Sequence, residues 1–145
     1  MANEIQVTSG LIIKQGTDPI QIDYVSRPTS FRADMTGVLG PTPGAFVATV
    51  LGTDVDLSTL TTPGFCRISN QDATNYVTVG LWDPEGTDFF PIFEVWPGES
   101  YVMRLARDIQ EEYETGTGTT GANTNRLRIK ADTASCNVLV EAFEK

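Results

Sequence analysis

Apolar and polar residues alternate with a period of two along most of this chain, and clusters of Gly, Pro, Asn and Asp interrupt the alternation. That pattern predicts half-buried β-strands separated by turns. Residues 4–8 place Ile5 and Val7 on one face, and residues 20–25 set Ile20, Ile22 and Tyr24 against Gln21 and Asp23. Residues 45–51 are apolar between Gly44 and Gly52, and residues 55–60 predict a further strand carrying Val55 and Leu57. Residues 65–69 are entered from Pro63-Gly64 and left through Asn70-Gln71-Asp72. Residues 76–82 alternate Val77, Val79 and Leu81 against Tyr76, Thr78 and Trp82. The turn Asp83-Pro84-Glu85-Gly86 then leads into a strand over 89–95. Pro97-Gly98 has the order that a type II turn requires, and Tyr101, Met103 and Leu105 line the next strand. Strands over 126–130, with Leu127 and Ile129 inward, and over 136–143 complete the series.

Eight or nine short strands in 145 residues predict an all-β fold. The expected architecture is a single β-sandwich over residues 1–145 with jelly-roll or Greek-key connections and about eight strands. A closed barrel is the alternative. Residues 1–10 read as an N-terminal arm. Residues 27–43, with Pro28, Gly37, Gly40, Pro41 and Pro43, read as a long connection. These two segments are the expected contacts with neighbouring subunits. In residues 105–113, Leu105, Ile109 and Tyr113 recur at helical spacing, but nothing caps a helix start, so a strand running into an acidic loop is expected. The Thr- and Gly-rich residues 115–125 read as a hairpin tip.

Charge and composition narrow the chemistry. The net charge of −9 repels phosphate backbones and anionic lipid, so neither nucleic acid nor membrane is an expected partner. No apolar run reaches the ~20 residues of a bilayer span, and the polar start lacks a secretory signal, which points to synthesis in a cytoplasm. The chain has no histidine. That removes Ser-His-Asp and Cys-His nucleophilic sites, histidine-ligated zinc and the commonest general base. Cys66 and Cys136 both lie in strand-like runs and read as small buried hydrophobes rather than a disulfide.

The remaining candidates are weaker than their structural readings. Asp54 and Asp56 would share a strand face, as a calcium site or an acid–base pair requires, but a solvated edge strand accounts for them. Asp108, Glu111, Glu112 and Glu114 lack the spacing of a calcium loop. The string GTGTTG at 116–121 lacks the strand-to-helix setting of a nucleotide loop. No cofactor and no metal are expected. Trp82, Phe89, Phe90, Phe93, Trp96 and Tyr101 crowd together, and alternation predicts most of them in the core. Trp96, beside the Pro97-Gly98 turn, is the candidate for an exposed contact.

Residues 62–80 (TPGFCRISNQDATNYVTVG) resemble a pattern found in small virion-associated proteins of tailed bacteriophages. Its parts are an N-x-D-A-T-N-Y-V segment, a strand, a P-G-E turn and a closing apolar strand ending in acidic residues. They fall here at 70–77, 97–99 and 137–144, and the resemblance covers about residues 45–145. It implies a small β-sandwich of the particle, and some such proteins decorate or cement capsids. No catalytic residue comes with the motif.

The expectation is therefore a non-enzymatic virion structural protein, made in the host cytoplasm and carried on the capsid surface. It would bind the major capsid protein and form a homo-oligomer, with a trimer favoured because such proteins sit at local three-fold positions. The candidate partner-binding residues are Ile5, Val7, Phe31, Arg32 and Trp96. The alternative is a tail-tip or fibre-associated module that binds a host surface glycan or protein through Trp82 or Trp96. A carboxylate-based glycoside hydrolase would need two converging carboxylates, which the scattered acids do not suggest.

Overall fold

The alternation is realised as antiparallel β-structure throughout. The computed structural model describes residues 3–10, 12–15, 22–25, 29–35, 37, 39–83, 87–106 and 126–145. Among these residues there are twelve strands and no helix. The strands are β1 (Asn3–Ser9), β2 (Ile12–Gln15), β3 (Ile22–Val25), β4 (Thr29–Met35), β5 (Thr42–Ala48) and β6 (Thr53–Asp54). They continue as β7 (Pro63–Asn70), β8 (Val77–Asp83), β9 (Asp88–Val95), β10 (Ser100–Arg104), β11 (Arg126–Ala131) and β12 (Cys136–Glu144). The chain forms two compact units, Met1–Thr36 and Gly37–Lys145.

The second unit is the sandwich. One sheet has the order β10-β7-β12-β5 and the other β6-β11-β8-β9. Renumbering these eight strands from one to eight gives the orders 6-3-8-1 and 2-7-4-5. That is the jelly-roll arrangement, in which nearly every connection crosses from one sheet to the other. Alternation along β12 turns Cys136, Val138, Val140 and Ala142 inward, and they meet Cys66 and Ile68 of β7. The facing sheet contributes Val77, Val79, Val95, Leu127 and Ile129. Each fully buried Val, Leu or Ile contributes about 1.5–3 kcal/mol, so this layer is what holds the two sheets together.

The first unit is a ribbon. β1 and β4 pair from Asn3↔Met35 to Ser9↔Thr29, and β2 and β3 pair from Ile12↔Val25 to Gln15↔Ile22. The second pair is nested inside the first with its register displaced by one residue. Thr29–Met35, expected within a connection over 27–43, is therefore a strand. In its sequence Phe31, Ala33 and Met35 alternate with Ser30, Arg32 and Asp34, and the prolines that suggested a connection lie on either side of it.

Two further expectations change. Residues 55–60 form a turn-bearing loop in which Val55, Leu57 and Leu60 are still buried. The Asp56 carboxylate accepts from the Ser58 N–H (3.0 Å) and hydroxyl (2.6 Å), a local bond pattern that competes with a strand ladder. Most of the crowded aromatics are not core either. Phe90, Trp96 and Tyr101, on or beside the edge strands β9 and β10, are exposed; Trp82 of β8 and Phe89 are half-buried, and only Phe93, also half-buried, packs against the core. Residues 107–125, with the helix-or-strand segment, the acidic cluster and the Thr/Gly tip, lie outside the described residues.

Candidate functional site

The segment 70–77 builds a hub that fixes one end of the sandwich. Asn70 is the last residue of β7 and is buried. Its amide donates to the carbonyls of Asn75 (2.8 Å) and Val95 (3.0 Å), and its side-chain oxygen accepts from the Asp72 N–H (2.9 Å). The Asp72 carboxylate in turn accepts from the N–H groups of Thr74 and Asn75 (both 2.8 Å). Those donors hold its pKa below the ordinary aspartate range. The backbone of Asn70 also pairs with Glu99 and Gly98, so the hub grips the 96–99 turn.

In that turn the Glu99 N–H donates to the Trp96 carbonyl (2.9 Å), and Gly98 takes φ +76. Pro97 then Gly98 is the type II order, with glycine where a side chain would be strained. The turn joins the edge strands β9 and β10, so both free edges lie on one flank of the sandwich. Phe93 and Tyr101 touch across it, with ring centroids 5.7 Å apart.

This flank is apolar and open. Phe90, Ile92, Trp96, Tyr101 and Val102 are all large exposed hydrophobics, with Ile92 61% and Trp96 53% exposed. The Trp96 ring lies on Tyr76 (centroids 5.2 Å apart, planes 21° apart). Its Nε1–H donates to Glu94 (3.0 Å) and its backbone N–H to Glu99 (3.0 Å). Trp96 is thus held in one orientation with a face outward. Asp88 and Glu94 of β9 and Glu99 of the turn are also exposed and add negative charge to this flank. Of its residues only Trp96 was expected to make contacts; Phe90 and Ile92 were missed.

The other four candidates meet on the ribbon. Val7 pairs with Phe31, Ile5 with Ala33, and Arg32 with Gln6, so segments far apart in sequence share one short ladder. Ile5 and Val7 are half-buried, and Arg32 is exposed and reaches Glu4 at 3.5 Å. Among the described side chains of this unit none is buried.

The ionisable groups of the sandwich serve structure. Asp54 and Asp56 do not act as a pair: Asp54 binds Arg128 (2.5 Å), whose guanidinium lies 3.9 Å from the Trp82 ring centre, whereas Asp56 bonds Ser58. Cys66 and Cys136 are buried free thiols. Burial, with the Glu141 charge adding to it, pushes the Cys66 thiol up to about 12. Among the described residues no group of three or more Cys, Asp or Glu is placed to hold a metal ion. No helix there is long and apolar enough to cross a membrane. Neither a protein-family model, a curated protein nor a solved structure matches this chain.

Proposed function

We propose that this chain is a non-enzymatic virion structural protein of a tailed phage. In this reading it is a capsid decoration or cement protein that binds the major capsid protein on the outer surface and stabilises the shell. It acts as a homo-oligomer, with a trimer favoured. The observation that carries the reading is the apolar flank Phe90, Ile92, Trp96, Tyr101 and Val102 on an acidic sandwich. Large hydrophobics left exposed beside charged residues are a usual mark of a protein-binding surface. Its acidic rim suits a neutral or basic protein face and repels nucleic acid. The jelly roll, an architecture used in capsid proteins, and the motif at 70–77 support the same reading.

Locating the protein in a reconstruction of the intact particle tests it. Density on the outer capsid, with the β9–β10 flank against the shell, is the expected result. Ile92→Asp should then abolish binding to stripped particles while leaving the sandwich folded. Density in the tail would overturn it.

A tail location would favour the second reading, a module that binds a host surface glycan or protein. The observation behind that reading is the Trp96 ring, half-exposed and backed by Tyr76, with Glu94 beside it. Aromatic faces next to carboxylates are able to stack on sugars and bond their hydroxyls. A glycan-array signal lost in Trp96→Ala would support it over the capsid reading.

A further inference from the structure

Register divides the ribbon into two unlike sets of positions. One set holds Ile5 and Val7 with their partners Ala33 and Phe31, and Met35 opposite Asn3. The intervening set is Glu4, Gln6, Thr8, Ser30, Arg32 and Asp34, all polar. Successive strand positions belong to opposite faces, so the register groups the apolar positions together; of the described side chains, Ile5 and Val7 are half-buried whereas Glu4, Gln6, Thr8, Ser30 and Arg32 are exposed. Two strands alone are marginal in water; three or more strands with an apolar face, or a packing partner, are needed. Among the described residues neither β1 nor β4 has a second strand neighbour.

Charge says what covers that face. Residues 1–36 contain three basic and four acidic residues, net −1, whereas residues 37–145 contain seven and fifteen, net −8. Two copies meeting sandwich to sandwich bring −8 against −8. Two copies meeting ribbon to ribbon bring together nearly neutral units, and the charged positions Glu4, Arg32 and Asp34 stay on the other face, outside the contact. We propose that the apolar face of the ribbon is the self-association surface of this protein, packed against the same face in other copies of the chain. This rests on the homo-oligomer part of the reading above and names the element that forms it. It does not depend on the capsid, because the contact is between copies.

The test is the mass of the full chain in solution, by light scattering at micromolar concentration. Wild type should be a closed oligomer, and Ile5→Glu with Val7→Glu should reduce it to the monomer mass of 15.8 kDa. The near-ultraviolet signal of Trp82 and Trp96 should be unchanged in that variant. Ile92→Asp, on the sandwich flank, should stay oligomeric even where it abolishes particle binding. A monomeric wild type, an unchanged mass in the ribbon variant, or dissociation by Ile92→Asp instead would each overturn the proposal. A face-specific cross-link keeps the test independent of that variant's folding. Val7→Cys should form intermolecular disulfides on oxidation, and Thr8→Cys, on the polar face, should not. Equal cross-linking at both positions, or none at Val7→Cys, would also overturn it.

Discussion

Replacing Asn70 with alanine should destabilise the sandwich more than any surface change. The side chain makes three hydrogen bonds, to the Asn75 and Val95 carbonyls and from the Asp72 N–H. A net ~0.5–1.5 kcal/mol for each bond gives about 3 kcal/mol in total. Asn70 is 2% exposed, so water does not replace the lost partner of the Val95 carbonyl. For a unit of this size that corresponds to a fall in Tm of about 12 °C. Equilibrium urea unfolding followed by tryptophan fluorescence reads it directly, since Trp82 and Trp96 both lie in the sandwich. The midpoint should fall with the slope unchanged. Asn70→Asp should be worse than alanine at pH 7, because a carboxylate would face two carbonyls with no proton to donate. Acidification should restore part of that loss. A cost below ~1 kcal/mol for alanine, or a neutral Asn70→Asp, would refute the idea that this residue ties β7, the 70–75 loop and β9 together.

Three other outcomes are expected. Arg128→Ala should cost about 2–3 kcal/mol in urea unfolding, since the side chain is largely buried between Asp54 and the Trp82 ring; Arg128→Lys should recover under half, because a point charge does not stack as a planar guanidinium does. The Cys66 thiol should resist alkylation at pH 8 until the sandwich unfolds; its folded pKa of about 12 lies above the unfolded 9.0, so an unfolded chain gives up this proton first and stability should fall as pH rises from 9.0 towards 12. The Asp72 carboxyl is shifted the other way, so its contribution is present above the ordinary value of 3.8 and lost as pH drops through the lower folded value; a carboxyl titration by NMR should show this, and Asp72→Asn should remove that part of the acid sensitivity.

The central strands were legible because burial on one face forces strict alternation. β8, β11 and β12 fall close to where Val77, Val79, Leu127, Ile129, Val138 and Val140 place them. Periodicity does not say which strands lie at an edge. The aromatics of β9 and β10 read as core residues, yet among the described residues no further strand lies beside either of these edges. One signal was present: Pro91 cannot donate to a ladder, which marks β9 as an edge strand and exposes its neighbours Phe90 and Ile92. The ribbon was legible only in halves. The alternation of Ile5 and Val7 was visible, but their pairing with Ala33 and Phe31 is a non-local register that neither segment encodes alone. Residues 55–60 misled because pairing ends at Val55, whose N–H still donates to the Leu127 carbonyl (2.8 Å), after which Asp56 and Ser58 satisfy one another locally and Leu57 is buried in the loop.

The place of β12 sets the order in which the molecule can be made. It lies between β5 and β7, so Ala48 waits for Cys136 before its strand gains a partner, and β7 is left half-paired until then. On a ribosome, the ribbon can zip as soon as residues 3–35 have emerged, whereas the sandwich must wait for nearly the whole length to be synthesised. A chain cut short before residue 136 would not be a smaller version of this domain. It would present β5 and β7 as open strands with their apolar faces bare, which is a template for aggregation. Synthesis of this fold is therefore close to all-or-none, and a truncated product is expected in the insoluble fraction.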